Sequence, residues 1–231
     1  MMRFDVLTLF PDIFDAVMKE SIIGKAQENN AIEINAINIR DFSKNKHKKV
    51  DDYPYGGGGG MVMTPQPIYD AYLSIIKDLS YKPKLIYLSP QGKVLNQKKV
   101  VELSKEKHII LLCGHYEGID ERIIEEIVDE EISIGDYVLT GGEIPAMVLI
   151  DSVSRLVPNV LPSEDAYKNE SHYNGFLEYP QYTRPYEFMG RKVPDILLSG
   201  HHAKIEEWRK EQSLKRTLEK RPDLLEKDPT L

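Results

Sequence analysis

Three glycine-bearing segments hold the residue types with the clearest chemistry in this sequence. They are residues 87–92, 112–118 and 134–142, and each follows a short apolar run that is typical of a buried strand. Their glycines let backbone N–H and C=O groups approach a ligand, and their tyrosines and small apolar residues could form flat walls. The segments therefore predict a slot for a planar heteroaromatic ring such as adenine, held by main-chain hydrogen bonds.

Three carboxylates add negative charge to this predicted slot, namely Glu117, Asp136 and Glu143. They disfavour a triphosphate and favour a cationic ligand, because like charges repel. S-adenosylmethionine fits both features, since it combines adenine with a sulfonium cation. Taken alone, residues 133–145 could be a tight strand-to-helix connection whose glycines serve only the turn. Two further segments of the same kind favour a ligand site.

Strand and helix patterns alternate around these segments. The apolar patterns predict strands at 3–9, 31–39, 84–88, 108–113 and 131–133, with helices at 13–26, 67–79, 95–104, 119–127 and 144–156. The first helix is expected to be interrupted near Ser21. In strand 31–39 the apolar phase changes after Ala36, which leaves open a bulge or a strand buried on both faces. The alternation predicts a parallel α/β sheet that binds its ligand at the carboxyl ends of the strands.

Residues 40–65 have no periodicity. They carry a basic cluster and then five consecutive glycines, 56–60. A loop of this length inside a compact domain is usually functional, so we interpret it as a mobile basic and aromatic loop that could close over an anionic partner. The alternative is a solvated, flexible surface loop. No Lys-Ser or Lys-Thr follows the glycines, which counts against a phosphate-binding loop and a nucleotide-dependent enzyme.

Composition limits the class of protein. The chain has 231 residues, 41% hydrophobic and 29% charged, which is typical of a soluble globular protein with one large domain or two small ones. Cys113 is the only cysteine, which excludes an internal disulfide. No apolar run approaches a membrane span and the N-terminus does not resemble a signal peptide, so we expect a cytosolic protein. The net charge of −7 argues against nucleic-acid binding over the whole surface but allows a local basic patch.

The C-terminal third differs from the rest of the chain. The preceding helix, 144–156, is apolar nearly all round, so it is buried in a core or in a subunit interface, and a homodimer is plausible. Residues 158–173 are polar and contain prolines, which indicates an interdomain linker. We expect a small helical domain over 174–231.

The sequence resembles the bacterial tRNA (guanine-N1)-methyltransferases, which methylate guanine 37 beside the anticodon. The resemblance covers nearly the whole chain. It is carried by residues 9–11, 51–52, 55–59, 114–122, 133–139, 179–185 and 199–202. The 114–122 and 133–145 segments are highly specific together, whereas either alone would be a weak signal.

The resemblance implies a SPOUT-class α/β fold with a deep trefoil knot and a small, mostly helical C-terminal domain. It implies a cofactor-binding domain at 1–157, a linker at 158–173 and a tRNA-binding domain at 174–231. Such proteins work as homodimers whose active sites use both subunits. The positions expected to bind S-adenosylmethionine are Tyr87, Leu88, Pro90, Gln91, Gly92, Gly114, Tyr116, Glu117, Ile134, Gly135, Asp136, Tyr137, Val138, Leu139, Gly141 and Gly142.

The resemblance also implies the catalytic pair. A carboxylate would remove the proton from guanine N1 and a guanidinium would stabilise negative charge at O6. These positions correspond to Glu170 and Arg155, although the family usually has aspartate where Glu170 stands. Asp165 is the rival base if the linker register differs. The resemblance supports dependence on Mg²⁺, but the sequence singles out no ligand set. A non-catalytic RNA-binding module is the other function considered.

Overall fold

The computed structural model describes residues 1–163 and 165–225, which form two compact units. The first unit is Met1–Ser163, and the second contains the described residues after it. The boundary falls inside the predicted linker, and the assignment of functions to the domains remains a prediction. None of the helices in the described ranges combines the length and apolarity needed to span a membrane.

A five-stranded parallel sheet forms the centre of the first unit. The strands of this unit are β1 (Met2–Thr8), β2 (Ile32–Asn38), β3 (Asp51–Asp52), β4 (Val62–Met63), β5 (Lys84–Val94), β6 (His108–Cys113) and β7 (Glu130–Ser133). The large sheet has the order β2-β1-β6-β5-β7, and every neighbouring pair in it is parallel. The carboxyl ends of its strands therefore lie at one edge. This confirms the predicted α/β class.

Helices cover both faces of this sheet. They are α1 (Asp12–Met18), α2 (Ser21–Glu28), α3 (Pro65–Ile76), α4 (Gln97–Leu103), α5 (Glu121–Ile127) and α6 (Glu143–Ser154). In β6, Ile109 and Leu111 belong to a core shared with α1, α2, α4 and α6, whereas Ile110 and Leu112 belong to a core shared with α3 and α5. This alternation follows from the two-residue period of a strand and makes the middle strand apolar from Ile109 to Cys113.

Two local predictions about the first unit are resolved by the structure. The helical region near Ser21 is divided between α1 and α2, and Ser21 itself has a φ of 55°. Strand β2 pairs with β1 in unbroken register from Ile32 to Asn38, so it has no bulge there. After the buried Ile32, its residues are partly buried on both faces, which explains the mixed apolar phase.

Strand β5 is longer than the predicted strand at 84–88. Its pairing with β7 shifts between Leu88 and Lys93, so residues 89–92 form an irregularity inside the strand instead of a terminal loop. Gly92 packs against the β7 backbone, where an added Cβ would lie 2.4 Å from the carbonyl carbon of Glu131. No side chain fits at this distance, so glycine permits the second half of β5 to return to the sheet.

The second unit is small and mostly helical. It contains α7 (Asp165–Lys168), the hairpin strands β8 (Glu187–Phe188) and β9 (Arg191–Lys192), and the long α8 (His202–Lys220), with short 3₁₀ turns at Asp195–Leu198 and Pro222–Leu224. Thr217 is fully buried and its hydroxyl accepts a hydrogen bond from the Leu177 amide at 2.9 Å. This bond ties the irregular segment before the hairpin to α8.

Candidate active site at the strand ends

A cavity of about 360 Å³ lies beyond the carboxyl ends of β6 and β7 and beside the irregular part of β5 that follows Leu88. It is formed by the three segments that the sequence singled out. The positions expected to bind the cofactor that line it are Tyr87, Leu88, Pro90, Gln91, Gly114, Tyr116, Glu117, Ile134, Gly135, Tyr137, Val138, Leu139, Gly141 and Gly142. The parallel sheet thus brings segments that are distant in the chain to one pocket.

Gly92 and Asp136 are the two expected positions that do not line this cavity. Gly92 instead lies against the backbone of β7. Asp136 is exposed in the turn after β7. Their roles as cofactor contacts remain predictions.

Two of the pocket segments are hydrogen-bonded to each other. The Gly142 amide donates to the Gly114 carbonyl at 3.0 Å, and His115 and Gly141 form an antiparallel bridge. An added Cβ on Gly142 would lie 2.7 Å from the Cα of Cys113 and 3.0 Å from the Gly114 nitrogen, so the two backbones approach too closely for any side chain. One pocket wall is therefore a packed pair of backbones.

The buried carboxylate of Glu143 packs against this wall on the side away from the cavity and is paired with His115. Glu143, in the first turn of α6, is only 5% exposed. Thr8 Oγ1 donates to its Oε1 at 2.6 Å, and His115 Nε2 lies 2.8 Å from its Oε2. Both carboxylate oxygens are therefore paired, as burial of a charge requires. Glu143 itself does not line the cavity, unlike its partner His115.

Tyr87 contributes a neutral phenol to the pocket. Burial, together with the nearby charges of Glu131 and Glu121, raises the pKa of Tyr87 to about 12. The hydroxyl therefore keeps its proton at neutral pH and can donate or accept a hydrogen bond. Burial, with a smaller contribution from the charge of Glu143, also raises the pKa of the Cys113 thiol well above its ordinary value. Cys113 is therefore a packing residue and not a nucleophile.

The long segment after β2 reaches the rim of the pocket. The Glu117 amide donates to the Met61 carbonyl at 3.0 Å, and the Met63 amide donates to the Gly118 carbonyl at 2.9 Å. These bonds hold the end of the 56–60 glycine run beside the 114–118 segment. Arg40 Nη2 also lies within 3.4 Å of the Tyr116 hydroxyl. At the tip of the loop, Tyr55 is fully exposed.

The two predicted catalytic residues lie in different units. Arg155 follows the last residue of α6 and is partly buried. Pro145, in the first turn of the same helix, lines the cavity, so a rise of 1.5 Å per residue places the two backbones about 15 Å apart. Glu170 follows α7 in the second unit, where its amide donates to the Tyr167 carbonyl at 3.2 Å. Asp165 begins α7, but its side chain lies outside the described part of the structure.

Several lining residues were not predicted to bind the cofactor. They are Ser89, His115, Gly118, Ile119, Glu121, Ile124, Glu131, Ile132, Ser133, Thr140 and Pro145. Most of them lie inside or directly beside the three predicted segments, so their position in the sequence is a signal that could have identified them. The exceptions are Glu121 and Ile124 on α5 and Glu131 on β7, because these elements flank the predicted segments. Among the described residues, no group of three or more His, Cys, Asp or Glu side chains is arranged to hold a metal ion.

The fold and the pocket are those of an α/β protein that binds its ligand where parallel strands end. The family described as tRNA (Guanine-1)-methyltransferase TrmD matches residues 2–227. The chain is 69% identical to the tRNA (guanine-N(1)-)-methyltransferase of Ruminiclostridium cellulolyticum over 228 residues, which cover 99% of this chain and 98% of that relative. The relative of the same name from Alkaliphilus oremlandii is 61% identical and covers 97% and 92%, and that from Clostridioides difficile is 60% identical and covers 98% of both chains.

The chain belongs to the tRNA (guanine-1)-methyltransferase family, as the resemblance indicated. Its α/β fold is therefore of the SPOUT class, and the protein is a methyltransferase enzyme. The deep trefoil knot of that class remains a prediction for this chain.

Proposed function

We propose that this enzyme transfers a methyl group from S-adenosylmethionine to N1 of guanine 37 in tRNA. The observation that carries the proposal is the cavity of about 360 Å³, which three backbone-rich segments form at the strand ends of a chain in this family. The relatives are named for methylation at guanine N1 of tRNA, which supports the same acceptor here.

The lining of the pocket is compatible with this methyl donor. Small apolar residues and main-chain groups of the three segments suit an adenine ring. The carboxylates of Glu117, Glu121 and Glu131 line the same cavity and would favour a sulfonium cation. When bound, the donor would supply an activated methyl group. The protein would then supply its orientation toward the acceptor and the exclusion of water.

Two side chains would act on the acceptor base. Guanine N1 carries a proton and becomes a good nucleophile only when that proton is removed. Glu170 would take the proton, and Arg155 would stabilise the negative charge that develops at O6. The loop at 40–60 would contact the anticodon loop, because it combines basic residues with exposed Tyr53 and Tyr55, on which unpaired bases can stack.

We also propose that the enzyme is a homodimer whose active site takes residues from both subunits. Arg155 lies at the end of α6 opposite the pocket of its own chain. In a dimer, the Arg155 that acts at each site would therefore come from the second copy of the chain. Support for an interface comes from exposed apolar residues on adjacent helices, Ile13 and Val17 on α1 with Ile144 and Val148 on α6. We expect the enzyme to act in the cytoplasm and to depend on Mg²⁺.

Methyl transfer to synthetic anticodon stem-loops tests this proposal. Labelled S-adenosylmethionine should methylate a stem-loop with guanine at position 37 and leave an otherwise identical stem-loop with adenine unmodified. Calorimetry should show one donor molecule bound per chain. Donor binding without any methylation of the guanine substrate would reject the proposed acceptor, and the absence of donor binding would reject the proposed cofactor.

A further inference from the structure

Residues 8–10 connect the end of β1 to the back of the pocket wall. The Phe10 amide donates to Thr8 Oγ1 at 3.0 Å, and the Thr8 hydroxyl in turn donates to Glu143 Oε1. The Phe10 ring also packs on the His115 ring, with 4.9 Å between their centroids. The end of the first strand therefore reaches the 114–118 segment by two routes, through the carboxylate and through the aromatic contact.

The chemistry of Glu143 fixes the direction of these hydrogen bonds. An ionised carboxylate can only accept, so the donors are the Thr8 O–H and the N–H on Nε2 of His115. The Thr8 hydroxyl donates its hydrogen to Glu143, while its oxygen accepts from the Phe10 amide. The loss of either anchor would leave one oxygen of a buried charge without a partner.

We propose that Glu143 is a positioning residue of the donor pocket, with Thr8 and His115 as its two anchors. It would hold the 114–118 segment against Gly141, so that both segments keep the spacing a bound donor requires. This inference rests on the proposed function, since it assumes that the cavity binds S-adenosylmethionine. Glu143 does not line the cavity, so it would not touch the reacting atoms. By holding the pocket wall in place, it would affect the binding of the donor and not the chemical step.

The variant Thr8→Val tests this role, because it keeps the shape of the side chain and removes the hydroxyl. We expect the KM and Kd for S-adenosylmethionine to rise about tenfold, as for the loss of a hydrogen bond to a charged group, while kcat at saturating donor stays near the wild-type value. Thr8→Ser restores the hydroxyl and should return KM to within about twofold of wild type. Glu143→Gln replaces one acceptor oxygen with an NH₂ donor, so one of the two hydrogen bonds from Thr8 and His115 is lost. It should change KM in the same direction as Thr8→Val.

Thr217→Val is the matched control, since it removes a buried threonine hydroxyl from the second unit. It should lower the melting temperature and leave the Kd for the donor unchanged. If Thr8→Val and Glu143→Gln both fold and bind the donor as tightly as wild type, the positioning role is wrong. If the wild-type enzyme itself does not bind the donor, the proposed function fails first, so the two failures are distinguishable.

Discussion

Gly141 shows how little space the pocket wall leaves for a side chain. Its missing Cβ would lie 2.2 Å from His115 Nε2 and 2.6 Å from Glu143 Oε2. Real Cβ atoms do not approach other heavy atoms so closely, so any side chain at position 141 must displace His115 and Glu143. Gly141 thus lies directly against the His115 ring and the buried Glu143 carboxylate.

Gly141→Ala should weaken donor binding. Overpacking costs about 1–3 kcal/mol, so we expect the Kd for S-adenosylmethionine to rise about tenfold or more in calorimetry. Gly59→Ala is the control, because an added Cβ there meets nothing within 4 Å and the φ is not positive. Equal donor affinity in Gly141→Ala and wild type would show that the wall can move without consequence.

Glu170 and Asp165 offer a second test on single residues. Glu170→Gln removes a proton acceptor but keeps the size of the side chain, so we expect turnover to fall about 10²- to 10⁴-fold, with donor binding unchanged. Single-turnover methylation of the stem-loop measures this loss directly. Asp165→Asn should have little effect. The reverse result, with Asp165→Asn inactive and Glu170→Gln active, would assign the base to Asp165.

Helix α6 serves two purposes along its length. Its first turn holds Glu143 and Pro145 beside the pocket, and its last turn precedes Arg155. Val148 is 42% exposed, on the same helical face as Ile144, which lies four residues earlier. Because one face of α6 packs in the core and another is exposed and apolar, the helix could support both the pocket and a subunit interface.

Val148→Glu should therefore separate the proposed dimer. A charge in an apolar interface is costly, so we expect sedimentation to show a monomer that still binds the donor. Turnover should fall to near background, because the partner's Arg155 would be lost. Leu73→Glu, at an exposed apolar position on α3, is the control and should stay dimeric. A monomeric Val148→Glu variant with full activity would refute the shared active site.

For the molecule as a whole, a polar network centred on the buried Asp5 joins three neighbouring strands of the sheet. Asp5 of β1 lies 2.8 Å from His108 Nε2 and accepts hydrogen bonds from Arg3 and Asn35. Burial alone would raise the pKa of Asp5, but the hydrogen bonds from His108, Arg3 and Asn35 outweigh it and hold the pKa below its ordinary value. This ionised carboxylate joins β1, β2 and β6 across the sheet.

The network should stabilise the fold in a pH-dependent manner. Because the pKa of Asp5 is lower in the folded state, the stabilisation is present above about pH 4 and is lost as the pH falls through the folded pKa. Asp5→Asn should cost about 3–5 kcal/mol of unfolding free energy at pH 7, and the difference from wild type should shrink in acid. Urea titrations at several pH values measure this. Asp15→Asn, in an exposed pair with Lys19, should show no such difference.

Local sequence patterns were sufficient for the sheet and for most of the pocket. The apolar run of β6 and the glycine-bearing segments each carry their signal within a few residues. Parallel strands then place those segments together by geometry. Gly114 and Gly142, for example, could be assigned to one site without knowing that the Gly142 amide donates to the Gly114 carbonyl.

Long-range pairings could not be predicted in this way. The bond between Thr8 and Glu143 joins residues 135 positions apart, and neither position has a local pattern that requires the other. Strand β5 continues past Gly92 only because its second half pairs with Ile132 and Ser133 of β7. The hairpin of β8 and β9 has two residues per strand, which is too short to show any periodicity.

Cys113 has a practical consequence for work on this enzyme. It is the only thiol in the chain, it is fully buried, and an added Cβ on Gly142 would lie 2.7 Å from its Cα. A thiol-reactive dye would therefore leave the folded enzyme unlabelled. A cysteine introduced at an exposed position such as Tyr55 could carry a fluorophore without first removing the native one, and slow labelling of Cys113 would report when the core behind the pocket opens.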